Sequence, residues 1–175
     1  MPDKSQKISN IVDNLRRVFQ VVNEQSKKAK RKTSLTGPQL WAIKVIASTS
    51  RIRVSDLAKK MYLHPATVVG ILNRLETRGF IERIRTTDDR RVVHVTLTEQ
   101  GKEIVRKSPE VAQGLLVAGL ETRAVKTIDV INEGLFQLVE ILGAQEIPPQ
   151  LLLSSETNLP GVNASLQKKK RTNKK

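Results

Sequence analysis

The chain has 175 residues, a net charge of +14 from 31 Lys and Arg against 17 Asp and Glu, and no cysteine. That length suits one domain, or one domain with a tail, and the missing thiols exclude disulfides, thiolate metal sites and a cysteine redox sensor. No run of 18 or more apolar residues predicts a membrane span, the opening MPDKSQKISN carries no signal-peptide core, and 3% aromatic content argues against a membrane-surface helix.

The positive charge is unevenly spread. Residues 35–97 hold 11 basic against 5 acidic side chains, whereas residues 98–143 hold 5 against 7. Basic charge therefore gathers in the middle and at both ends, the footprint of a chain that meets phosphate.

In chain order, residues 6–32 read as one long helix. Ile8, Ile11, Val12, Leu15, Val18 or Phe19, and Val22 make its apolar stripe. The run KKAKRK, Lys27 to Lys32, closes it, and is read equally well as a solvated helix end or as a DNA contact. Thr36 then caps a second helix with Pro38 in its first turn and apolar positions at Leu40, Ile43, Val45 and Ile46. Trp41, the only tryptophan, reads first as core. Arg51 to Val54 is expected to form a short strand. VSDLAKKMYL follows as a short helix, with Ser55 as N-cap, Asp56 at the positive end of the dipole, and Leu57, Ala58 and Met61 facing inward.

The stretch from His64 to Phe80 organises the rest. Val68, Ile71, Leu72 and Leu75 recur at i, i+3, i+4 and i+7, one apolar stripe of a helix. The opposite side carries Ala66, Val69, Gly70 and Asn73 at the same spacing. A solvated face normally carries long charged side chains; one trimmed to small residues can lie close against a surface, and a DNA major groove admits a helix of this width. Pro65 suits the first turn and Gly79 the stop.

After Gly79 the period becomes alternating. Ile81 to Arg85 and Val92 to Leu97 read as strands joined by the polar tip TTDDRR, Thr86 to Arg91. Beyond them, Thr98 looks like an N-cap with Gly101 in the opening turns, and Lys107 to Pro109 breaks or kinks that helix. A last helix, about Thr122 to Leu142, presents Ile128, Ile131, Leu135, Leu138 and Leu142 as a coiled-coil-like seam. From Ala144 the chain turns rich in Pro, Ser and Lys and reads as mostly disordered.

Helix, turn, helix and basic-tipped hairpin in this order make a winged helix-turn-helix. The segments LTGPQLWAIKVIA, VSDLAKKMYLHPATVVGILNRLETRGFIER and DDRRVVHVTLTEQG resemble the MarR-type transcriptional regulators, in that family's order and spacing. The resemblance implies a mainly α fold with a small β-wing (α+β), in which N- and C-terminal dimerisation helices flank the winged helix-turn-helix. The expected divisions are 1–34 for the N-terminal dimerisation helix, 35–101 for the DNA-binding domain, 102–143 for the C-terminal dimerisation helices and 144–175 for a flexible basic tail.

It also implies a homodimeric, non-enzymatic regulator of double-stranded DNA, expected to repress from a pseudo-palindromic operator. Such a protein is cytoplasmic and nucleoid-associated, in a bacterium or archaeon, and needs no cofactor or metal. The recognition helix, with Pro65 in its first turn, would use His64 and Thr67 at its N-terminus toward phosphate, and Ala66, Val69, Gly70 and Asn73 toward base edges. Arg74 and Arg78 flank that face. In the wing, the family's D-x-R pattern falls on Asp89 and Arg91, implying that Arg91 enters the minor groove while Asp89 orients it; Arg83, Arg85 and Arg90 would follow the backbone. Relatives commonly respond to a small aromatic or anionic effector, which here would be lined by Arg16, Phe19 and Trp41.

Two other classes compete. Catalysis finds no support: His64 and His94 are the only histidines, and no metalloprotease, phosphate-loop or nucleophile motif accompanies them. An architectural or replication-associated winged-helix protein, binding DNA without a specific operator, is the second.

Overall fold

The computed structural model describes residues 3–85, 93–152 and 158. Its elements, in order, are α1 (Lys4–Thr33), α2 (Gly37–Thr49), β1 (Ile52–Arg53), α3 (Val54–Lys60), α4 (Pro65–Thr77), β2 (Ile81–Arg85), β3 (Val93–Leu97), α5 (Glu99–Lys107), α6 (Ala112–Glu121) and α7 (Val125–Ile141). They divide into two compact units, one running to Trp41 and from Glu103 to Ile147, the other from Ala42 to Lys102 with Pro148–Leu151 and Asn158.

In the first unit α1 packs against α6. Asp3 starts α1 by accepting the Gln6 N–H on its carboxylate at 2.7 Å, and Lys30, Arg31 and Lys32 lie in the last turn, opposite the negative end of the dipole. Thr36 and Gln39 form a reciprocal capping box at α2. The Gln39 N–H donates to the Thr36 hydroxyl at 3.4 Å, and the Thr36 N–H donates to Gln39 Oε1 at 3.2 Å. Trp41 is buried as expected. What lies on it has no counterpart in the sequence pattern: a Cβ at Gly114 would stand 3.2 Å from indole Cδ1 and Nε1, so any larger residue would press on the ring and push it back by a few tenths of an ångström. The apolar stripes of α1 and α7 stay open in the protomer. Ile8, Ile11, Val18 and Phe19 are exposed, and α7 has no buried residue.

The second unit holds a three-stranded antiparallel sheet in the order β1-β3-β2. Ile52 pairs with Val95, and Ile81 with Leu97, so the apolar alternation of each strand falls on one face. α3 and α4 pack together, α3 on β1 and β3, and α4 on β2. Leu57, Ala58, Met61, Val68, Ile71, Leu72, Leu75, Ile81, Val95 and Leu97 form the core.

One boundary needs correcting. Ser55 is the expected cap of α3, but Arg53 is the N-cap, without a side-chain hydrogen bond. β1 leads straight into the helix at Val54, leaving Ser55 inside the first turn. Lys107 to Pro109 ends α5 outright, and the chain restarts as α6. Val92, assigned to the third strand, lies outside the described residues.

Candidate nucleic-acid interface

The candidate recognition helix is α4, and its two sides differ as the sequence predicts. Val68, Ile71, Leu72 and Leu75 are all 0% exposed, while Val69 is 41% exposed on the opposite side. Ala66 and Asn73 are exposed and Gly70 is half-buried, and a Cβ at Gly70 would meet nothing within 4 Å. The outer side is thus low and open along two turns.

The helix is held at both ends. His64 is the N-cap in an extended conformation, with Pro65 in the first turn. At the other end Gly79 adopts φ +72. The Phe80 N–H donates to the Leu75 carbonyl at 3.0 Å and the Gly79 N–H to that of Glu76 at 2.9 Å, the paired bonds of a Schellman stop. The same device closes α3, where Leu63 N–H reaches the Ala58 carbonyl and Tyr62 N–H that of Lys59, both at 3.0 Å. There the left-handed position is Tyr62, φ 51.

Thr98 ties the wing to both helices around it. Its hydroxyl donates to the Gly79 carbonyl at 2.6 Å and accepts the Gly101 N–H at 3.1 Å, while its own N–H donates to the Phe80 carbonyl at 3.2 Å. A Cβ on Gly101 would lie 2.0 Å from the Phe80 carbonyl oxygen. The spacing of Thr98 and Gly101 therefore has a physical reason: threonine supplies the clasp, and glycine lets α5 start against the end of α4.

Other candidate residues fall as follows. His64 and Pro65 are exposed, whereas Thr67 is nearly buried. Arg74 and Arg78 are exposed at the flank, and the Arg78 guanidinium stands 5.0 Å from the Phe80 ring centroid, a cation–π contact. Arg83, expected along the DNA backbone, is committed within the protein. It donates through Nη1 to Glu76 at 2.8 Å and through Nη2 to Asn73 Oδ1 at 2.7 Å, and its side chain is only 26% exposed. The clasp engages one lone pair of Asn73 Oδ1 and does not involve the amide N–H₂. Strand alternation carried the signal for it, because Arg83 shares the α4-facing side of β2 with Ile81.

Arg85 lies in β2 opposite Val93. Asp89, Arg90 and Arg91 lie outside the described residues. In the first unit, Arg16 is exposed and paired with Asp13 at 2.9 Å, Phe19 is exposed one turn away, and Trp41 is buried beneath Gly114. Among the described residues no His, Cys, Asp and Glu group could hold a metal ion, and no helix is long and apolar enough to cross a membrane.

Comparison with known proteins agrees with this geometry. Residues 35–93, from the start of α2 into β3, match the model of the MarR family. The HTH-type transcriptional regulator YfiV of Bacillus subtilis (strain 168) is 34% identical over 104 residues, covering 59% of this chain and 65% of that protein. The chain thus spans just under two thirds of that relative's length. The HTH-type transcriptional repressor MdtR of the same organism is 25% identical over 158 residues, covering 90% of this chain and 94% of its own. Among solved structures, Streptococcus pneumoniae FabT in complex with DNA aligns with a TM-score of 0.53 at 27% identity, covering 78% of this chain and 97% of FabT.

Proposed function

We propose that the chain is a MarR-type DNA-binding transcriptional regulator that acts as a homodimer on a pseudo-palindromic operator, with repression as its output; the match of residues 35–93 to the MarR family model and the likeness to the repressor MdtR and to FabT support this reading. The observation that carries this reading is the two-sided α4. Its inner stripe is fully buried, and its outer side keeps Ala66, Val69, Gly70 and Asn73 low enough to reach base edges. α1, α6 and α7 supply the dimer contacts, since the open stripes of α1 and α7 need a partner to cover them. The two half-sites then lie about one helical turn apart, roughly 10 bp.

In this proposal Arg91 reads the minor groove, Asp89 orients it, and Arg74, Arg78, Arg85 and Arg90 follow phosphates. Arg83 instead stiffens Asn73 for base contact. A small aromatic or anionic effector binding near Arg16, Phe19 and Trp41 would act only by preferring one spacing of the two recognition helices over another.

The test is titration against the duplex upstream of the protein's own gene and a scrambled duplex, at about 150 mM salt. A preference of about 10³ or more is expected of an operator reader; equal, steeply salt-dependent affinity for every duplex tried would favour the architectural reading. Arg91→Ala should weaken operator binding by about 1–3 kcal/mol, the size of one specific contact.

A further inference from the structure

The N-terminus of α4 is already occupied by a side chain of the same chain, that of Asn158. Asn158 Oδ1 accepts the His64 backbone N–H at 2.9 Å and the Thr67 hydroxyl at 3.3 Å. It is brought there from more than ninety residues away. The Asn158 N–H donates to the Pro149 carbonyl at 2.9 Å, and Leu151, two residues beyond Pro149, is only 4% exposed. Pro148–Leu151 and Asn158 belong to the same compact unit as α4. The contact therefore has an apolar anchor, an internal brace and a polar tip.

The chemistry of that tip points to its role. An oxygen acceptor held by a backbone N–H and a hydroxyl at the positive end of a helix dipole is the arrangement in which a phosphate oxygen is bound. We propose that Asn158 is an intramolecular stand-in for a DNA phosphate, an autoinhibitory latch that must leave the recognition helix before a duplex can seat there. The inference rests on the DNA-binding reading above. An uncharged carboxamide suits this role because its hydrogen bonds are about half as strong as those of an ionised phosphate. A correct duplex therefore displaces it, while weak, transient encounters do not. Lys168 to Lys170, Arg171, Lys174 and Lys175 follow in sequence, a run of basic side chains that adds non-specific attraction to a duplex.

Asn158→Ala in the full-length protein separates the latch from the tail, because it removes the acceptor and leaves every charge in place. Its affinity for the best duplex should rise about threefold to tenfold, the equivalent of one net hydrogen bond, with an unchanged salt slope. Amide hydrogen exchange gives a second readout. The Asn158 amide should be protected in the free wild-type protein and lose that protection when duplex binds, while the first turn of α4 gains it. Duplex binding with unchanged or weakened affinity in Asn158→Ala, or with the Asn158 amide still protected in the complex, would overturn the latch alone. Failure of both proteins to bind any duplex would overturn the regulatory reading and the latch together.

Discussion

α4 and α7 carry apolar stripes of nearly the same period, yet their surroundings are opposite. In α4 the four stripe residues are completely buried, whereas in α7 Ile128, Ile131, Leu135 and Leu142 are 37%, 40%, 56% and 75% exposed. The difference teaches that periodicity names the face a helix will bury, not what covers it. α4 finds α3 and β2 within its own unit. α7 ends in a glycine-based Schellman stop of the same kind, with Gly143 at φ +59 and Ala144 N–H on the Val139 carbonyl at 3.0 Å. It is a finished helix with an uncovered face, which is what a subunit interface looks like from one side.

The widest contrast comes from truncating one leucine on each stripe. Leu72→Ala should cost about 2–5 kcal/mol, the usual range for a filled core site, at any protein concentration. Leu135→Ala should cost under about 0.5 kcal/mol, as at a surface position, when the protein is dilute enough to be monomeric. Its penalty should grow as concentration rises and the stripe is covered. Thermal unfolding at concentrations a hundredfold apart measures both. A Leu135→Ala penalty independent of concentration, with light scattering reporting a monomer throughout, would break the comparison.

Glycines sharpen the same contrast at a smaller scale. Gly101→Ala forces a Cβ against the Phe80 carbonyl, with backbone on both sides of the contact and no flexible side chain to yield. A loss of about 1–3 kcal/mol, as in overpacked sites, is expected, and the Thr98 clasp loosens with it. Gly119→Ala, on α6 with nothing within 4 Å of the added Cβ, should instead gain about 0.5–1 kcal/mol from helix propensity. A loss there would show that the backbone of a second copy approaches α6 closely, as the proposed homodimer allows.

How much of this was legible depended on the range of the interaction. The stripe of α4, the Thr36 cap, the Gly79 stop and the alternation of the strands are local, set by residues within a turn or a pleat, and could be read directly. The Ser55 cap failed because a strand abutting a helix leaves no linker for the side chain to close. The Arg83 clasp, the Gly114 approach to Trp41 and the Asn158 contact join residues 7 to 94 positions apart. Only the first left a trace, in the alternation of β2; a glycine in α6 and an asparagine in a proline- and serine-rich tail look like many others. The wing tip, where the family resemblance places Arg91, lies outside the described residues, so its role still rests on sequence.

The smallest effect concerns the turn between α3 and α4. α3 and α4 use the same Schellman stop, but α4 places Gly79 at the left-handed position and α3 places Tyr62 there, 64% exposed. A side chain in that conformation costs roughly 1–2 kcal/mol, and glycine returns about 0.4–1 kcal/mol of that gain through the added freedom of its unfolded chain. Tyr62→Gly should therefore stabilise the protein by about 1 kcal/mol or less, seen as a small rise in Tm at unchanged DNA affinity. Should affinity fall while Tm rises, the strained tyrosine is retained for contact with the duplex beside the recognition helix, and the two otherwise equivalent stops differ by function.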